Sequence, residues 1–135
     1  MEVTKIVNFC GGHRLSNYNG LCSMIHGHNY VVEATIISDI LNDIGFVIDF
    51  KDLKRYLNEV IEKLDHKTIL KTGDKINEDI AAVVPKDWIV WFEVNPTAEN
   101  ISKFIYNSLK PNLSINQKLK IKVYETDTSF AEYTE

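Results

Sequence analysis

Two different hydrophobic periods share this chain, and together they restrict its fold class. Leu119, Ile121 and Val123 alternate with Lys120, Lys122 and Tyr124, the two-residue repeat of a strand with one buried face. Phe50, Leu53, Tyr56, Leu57, Val60, Ile61 and Leu64 instead recur at threes and fours, with Lys, Arg, Asp and Glu between them. That spacing predicts an amphipathic helix, with Asp49 placed to cap its first turn. Residues 2–9 put Val3, Val7 and Phe9 on one parity, and residues 29–38 are rich in Val, Ile, Thr and Tyr; both read as strands. Residues 11–20 read as a polar loop, residues 39–45 as a hairpin turn, and Gly45 to Ile48 as the start of a return strand. Asn95-Pro96 predicts a second helix, with Asn as cap and Pro at the first helical position. Its apolar face would be Ala98, Ile101, Phe104, Ile105 and Leu109. The mixed stretch 67–94 suggests a short helix near 77–83 and a strand at 88–92. Strand, strand, helix, helix, strand, with hairpin signals, predicts an α+β domain whose helices pack on one sheet face. No repeat or linker interrupts the 135 residues, which read as one domain, 1–135.

A chain of this length, 44% apolar and 25% charged, can bury roughly two-thirds of its unfolded surface and needs no disulfide or metal to build a core. A metal site would therefore need a chemical reason. The formal charge is −4 and no basic run occurs, which argues against nucleic acid as a partner. The longest apolar runs, such as Trp88–Phe92, fall far short of the about 20 residues that span a bilayer. No membrane partner is expected. The N-terminus lacks a secretory signal pattern, so a reducing, cytoplasmic location is expected. There, Cys10 and Cys22 would be thiols or ligands rather than a bridge.

Of four histidines, His13, His26 and His28 fall within one short stretch. His26 and His28 are two apart at the mouth of a strand, so their rings share a face, with Gly27 between them leaving that face uncluttered. His13 follows a strand that could pair beside this one. Three imidazoles with an open fourth position are the pattern of a catalytic zinc. A closed structural site from Cys10, His13, Cys22 and His26 is the alternative, and it leaves His28 without a role. Cys22 sits in a Gly/Asn-rich loop four residues before His26, where a nearby metal or imidazole would activate it as a base or nucleophile. Asp65-His66, at the end of the first helix, could be an orienting carboxylate with its imidazole or a charge-satisfied helix terminus. Glu125 continues the buried parity of Leu119, Ile121 and Val123, where a carboxylate is costly unless paired; a ligand with two N–H donors would satisfy it.

Phe9-Cys-Gly-Gly-His13-Arg-Leu15, Cys22-Ser-Met-Ile-His26-Gly-His28-Asn-Tyr30, Leu64-Asp-His66-Lys, Asn95-Pro-Thr-Ala-Glu-Asn100 and Tyr124-Glu-Thr126 occur in this order. This set resembles the 6-pyruvoyl-tetrahydropterin synthase and 6-carboxytetrahydropterin synthase family and covers nearly the whole chain. The resemblance implies a tunnelling fold: an antiparallel four-stranded sheet with two helices on one side. Three subunits would close a twelve-stranded β-barrel, and two trimers would stack as a homohexamer. It implies that His13, His26 and His28 hold Zn2+, and that Cys22 is the proton-transferring thiolate with Asp65 and His66 completing its relay. It further implies that Glu125 anchors the pterin and that Thr97 lies in the substrate-binding stretch. The implied substrate is 7,8-dihydroneopterin triphosphate, and no nicotinamide is expected. Three residues between Cys22 and His26 are similar to the carboxy-forming enzymes of queuosine precursor synthesis, so release of acetaldehyde with triphosphate is the leading expectation. A pyruvoyl-forming lyase and a non-enzymatic zinc-stabilised module are the alternatives. Cys10, Gly11 and Gly12 depart from the Ser and Ala usual in the family, and residues 67–94 are longer than in compact bacterial members.

Overall fold

A computed structural model of the chain describes residues Met1–Glu135. Its strands are β1 (Glu2–His13), β2 (His26–Ile37), β3 (Lys67–Lys71), β4 (Ile89–Phe92), β5 (Lys118–Thr126) and β6 (Ser129–Thr134), and its helices α1 (Phe50–Ile61), α2 (Lys75–Ala82) and α3 (Ala98–Leu109). They form one six-stranded sheet in the order β4-β3-β1-β2-β5-β6. The class is α+β, as expected, but the sheet is mixed rather than four-stranded and antiparallel. β1, β2, β5 and β6 are the antiparallel part; β3 joins β1 in parallel and β4 joins β3 in parallel. Parallel partners must be reached by crossovers rather than tight turns, and α1 and α2 lie in those crossovers. β4 and β6 are the open edges.

The alternation read from sequence decides which sheet face is covered. Phe9, Tyr30, Val32, Ala34, Ile36, Leu119, Ile121 and Val123 are buried together with Leu53, Leu57 and Val60 of α1 and Ile101, Ile105 and Leu109 of α3 in one core. The other face carries Ile6, Asn8 and Cys10, all exposed, and a charged ladder in which Lys122 lies between Glu33 and Glu132. Asp49 caps α1 as predicted, its side chain accepting from the Lys51 amide at 2.7 Å.

Several expectations are corrected. Gly45 to Ile48 is no strand: Asn42 Oδ1 accepts from the Phe46 amide at 2.8 Å, Gly45 adopts φ 87, and the turn feeds directly into α1. Gly11–His13 belong to β1 rather than to a loop, because β1 stays paired with β2 to its last residue. α1 ends at Ile61, with Leu64 buried beyond it in a series of turns. Asn95 does not cap α3; Thr97 does, its hydroxyl accepting from the Asn100 amide at 3.4 Å, and Pro96 lies outside the helix.

Ile105 is fully buried between α3 and the sheet. Ile105→Val is expected to cost about 0.5–1.5 kcal/mol and Ile105→Ala about 2–5 kcal/mol, read as a graded fall in the urea midpoint with an unchanged m-value.

Candidate metal centre and adjoining cleft

The antiparallel register of β1 and β2 pairs His13 with His26, Gly12 with Gly27 and Gly11 with His28. Because His26 and His28 are two apart, their rings leave the sheet on the same side, and His13, directly opposite His26, joins them. One ring nitrogen from each lies within 4.8 Å of the others. The glycines make this pairing possible. A Cβ on Gly27 would stand 2.8 Å from the Gly11 carbonyl oxygen, and one on Gly11 would stand 3.1 Å from the Phe9 ring. Gly27 therefore serves the approach of the two backbones, not the clearance of the histidine face.

Second partners settle the tautomers. His13 Nδ1 lies 2.7 Å from the Pro96 carbonyl and His26 Nδ1 2.8 Å from the Met24 carbonyl. A carbonyl only accepts, so both Nδ1 atoms carry the proton. In the neutral rings both Nε2 atoms are then bare, and they face each other at 3.1 Å. Two lone pairs at that distance repel unless a cation lies between them. His28 Nε2 is buried with no hydrogen-bond partner; its nearest carboxylate oxygen, Glu125 Oε1, is 3.6 Å away, beyond a hydrogen bond. Protonation is the other remedy, and at His13 it is disfavoured: the residue is 1% exposed, and burial, opposed by the Pro96 carbonyl, holds its pKa below the ordinary imidazole value. Neutral imidazoles fixed by backbone carbonyls are the ligand form preferred by zinc. The donor set fits a divalent ion. Tyr30, fully buried behind the site, keeps its phenol neutral because burial pushes its pKa up.

Beside the histidines lies a cleft of about 270 Å³ lined by His13, Cys22, Thr97, Glu99 and Glu125, among others. Cys22 reaches it from a single 3-10 turn, Leu21–Ser23. Glu125 reaches it through a bulge: Tyr124 pairs with Phe130 and Thr126 with Ser129, which leaves Glu125 as the extra residue of β5. A bulge re-aims a side chain at low cost to the flanking ladder, and the half-buried carboxylate is turned toward His28. Thr97 lines the cleft while its hydroxyl caps α3.

Asn95, read from sequence as a helix cap, instead clamps the segment after His13: its Oδ1 accepts from the Ser16 amide at 2.8 Å and its Nδ2 donates to the Ser16 carbonyl at 3.0 Å. Asn100 Nδ2 in turn donates to the Asn95 carbonyl at 2.8 Å. This holds Pro96, whose carbonyl fixes His13. The motif Asn95–Asn100 contains Asn95, Pro96 and Asn100, but nothing in the spacing separates a helix cap from a long-range clamp.

Asp65 and His66 form a dyad elsewhere. Asp65 Oδ2 lies 2.9 Å from His66 Nδ1, and its Oδ1 accepts from the Cys10 amide at 2.9 Å. The Cys10 amide and then His66 hold this carboxyl below the usual carboxylate range. The His66 amide donates to the Cys10 carbonyl at 2.7 Å, and its backbone takes φ 57. The His66 side chain is 80% exposed and does not line the cleft that holds Cys22. Cys10, on the opposite face of β1 from His13, is exposed, so the closed ligand set Cys10, His13, Cys22 and His26 is not assembled.

A family model described as 6-pyruvoyl tetrahydropterin synthase matches residues 2–135. The chain belongs to the 6-pyruvoyl tetrahydropterin synthase family. Among its relatives in that family, a Rickettsia bellii protein named 6-carboxy-5,6,7,8-tetrahydropterin synthase is 36% identical over 139 residues, covering 98% of this chain and 99% of the relative. A human protein named 6-pyruvoyl tetrahydrobiopterin synthase is 29% identical over 150 residues, covering 98% and 90%. In fold, the chain superposes on the solved Plasmodium falciparum 6-pyruvoyl tetrahydropterin synthase with a TM-score of 0.81 at 24% identity, covering 100% of this chain and 97% of that one. The two chains thus share an overall fold.

Gly27→Ala places a methyl against a backbone carbonyl that cannot swing away. It is expected to destabilise by about 1–3 kcal/mol, measured by urea denaturation; an unchanged midpoint would show that the strands can part without cost.

Proposed function

We propose that this chain is a zinc-dependent 6-carboxy-5,6,7,8-tetrahydropterin synthase. It converts 7,8-dihydroneopterin triphosphate and one water to 6-carboxytetrahydropterin with release of triphosphate and acetaldehyde, in the cytoplasmic formation of queuosine precursors. The observation that carries the reading is the cluster of three imidazoles, in which His28 Nε2 is buried without any partner, opening beside a cleft that contains one thiol and one half-buried carboxylate. Support also comes from the full-length likeness to the Rickettsia bellii synthase. The absence of any helix long and apolar enough to cross a membrane is compatible with it.

His13, His26 and His28 would hold the ion. When bound, it supplies Lewis acidity toward an oxygen of the substrate side chain. Glu125 pairs with the amino and ring N–H groups of the pterin, a bidentate charge-assisted contact, and its position in the bulge sets where the rest of the substrate lies. Cys22, as thiolate, takes a proton from the substrate side chain. Asp65 holds His66 Nδ1–H and leaves Nε2 to exchange that proton.

Within one chain this relay is incomplete, because His66 is exposed and lies outside the cleft of Cys22. The dyad is nevertheless fully formed, which suits it to complete the cleft of a neighbouring subunit. The open edges β4 and β6 give the assembly its physical reason, since closing a sheet on other copies removes unpaired strand edges. A trimer-based barrel, stacked as a hexamer, is the assembly this reading carries.

Two tests follow from the chemistry. Elemental analysis is expected to find one zinc per chain, strongly reduced in His28→Ala. Chelation is expected to lower the melting temperature without unfolding the protein, because the core does not include the ion; unfolding on chelation would indicate a structural metal instead. In the second test, mass spectrometry of the pterin product, with an assay for acetaldehyde, distinguishes the carboxy product from the pyruvoyl one. Cys22→Ala and His66→Ala are each expected to lose about 10²–10⁴-fold in turnover, and the two variants refolded together are expected to regain part of it. Equal inactivity of the mixture would place the relay within one chain.

A further inference from the structure

We propose that Arg14 is a positioning residue for Cys22, tying the turn that carries the thiol to the N-terminus of α2. The inference rests on the reading of Cys22 as the reacting thiol. It concerns what holds that thiol over the cleft.

The turn Leu21–Ser23 has no buried residue of its own, and Tyr18, Leu21, Met24 and Ile25 around it are exposed. Apolar packing therefore does not fix it. Polar contacts at its base do: the Leu15 amide donates to the Cys22 carbonyl at 2.8 Å, Arg14 Nε donates to the Ser23 carbonyl at 2.9 Å, and His26 Nδ1 holds the Met24 carbonyl. Two of the three come from Arg14 and its neighbour, immediately after the histidine at the end of β1.

Arg14 is 5% exposed, and a buried guanidinium persists only with its donors met. Its Nη1 donates to Asp74 Oδ1 at 2.8 Å and to Asn77 Oδ1 at 2.7 Å. Both acceptors are themselves fixed. Asp74 caps α2 by accepting from the Asn77 amide at 3.0 Å. Asn77, fully buried, donates from Nδ2 to the Lys71 carbonyl at 2.8 Å and to the Ser16 hydroxyl at 3.3 Å. The Ser16 hydroxyl, the Asn77 amide and Arg14 hold the Asp74 carboxyl below the usual carboxylate range, so the ion pair persists across neutral pH. With Nη1 anchored in this way, the rigid plane of the guanidinium aims Nε at Ser23. A lysine offers no second donor in that fixed geometry. The segment 67–94 thereby acquires a role: Asp74, which caps α2, and Asn77 within α2 supply the acceptors that hold Arg14.

The test uses the full-length protein carrying Arg14→Lys or Asp74→Asn; the second keeps an oxygen to cap α2 and removes only the charge. Kinetics are measured on the metal-loaded protein, and alkylation by iodoacetamide is quantified separately at Cys22 and Cys10 by peptide mass spectrometry. Released positioning is expected to lower kcat about tenfold with KM within about twofold. It is also expected to speed alkylation of Cys22 about threefold or more with Cys10 unchanged. If Arg14→Lys does not fold, Asp74→Asn carries the test. A folded variant in which kcat or Cys22 alkylation stays within about twofold of wild type overturns the proposal, as does equal acceleration at both cysteines, which is general loosening. Cys22→Ser separates the two readings: retained turnover refutes the thiol's catalytic role, while the differential alkylation still measures Arg14's hold on the loop.

Discussion

The pairing of β1 with β2 is the constraint on which the rest of the site depends. It sets His13 against His26 and brings His28 into range one pleat further on. A slip of one residue would send His13 to the opposite face of the sheet. The register is held at one end by the buried row Phe9, Tyr30, Val32 and Ala34 and at the other by Gly27, where the Gly11 backbone approaches too closely for a side chain. Core packing and site geometry are therefore one problem: the alternation that buries Tyr30 and Val32 also aims the histidines.

Around that register, side-chain amides do the work that backbone ladders do elsewhere. Asn95 pairs with both the amide and the carbonyl of Ser16, much as a neighbouring strand would. Asn77 bridges Arg14, Ser16 and Lys71. Buried polar networks are stable only when every member is satisfied, and here the exception is informative: among buried side-chain nitrogens and oxygens, His28 Nε2 alone is without a partner. Polar satisfaction stops where a ligand is expected.

Legibility followed the length and regularity of each signal. β1, β2, β5, α1 and α3 were readable because their apolar periods run over many residues. β3 carries no such signal, because Lys67–Lys71 is five residues long and draws its stability from parallel neighbours on both sides. β6, Ser129–Thr134, is an edge strand with little buried on either face, so it leaves no alternation to detect. Asn95 illustrates a different limit, since one residue type serves equally as helix cap and as long-range clamp. The histidine cluster was readable because short-range spacing and hairpin pairing together imply convergence. The separation of His66 from Cys22 was not, because nothing local to Asp65-His66 says which cleft it faces.

The residues by themselves determined the chemistry on offer: three imidazoles close in the chain, one thiol in a polar loop, one carboxylate on an apolar parity and the periods that assign them to strands. These are local properties, fixed by side-chain type and by backbone repeats of two and about 3.6 residues. Only the tertiary structure decided that the Nε2 atoms of His13 and His26 face each other bare, that a bulge turns Glu125 toward His28, and that Arg14 reaches α2. Each of those depends on contacts between residues far apart in sequence, where the partner of a hydrogen bond is chosen by the packing of whole elements and not by any neighbour along the chain.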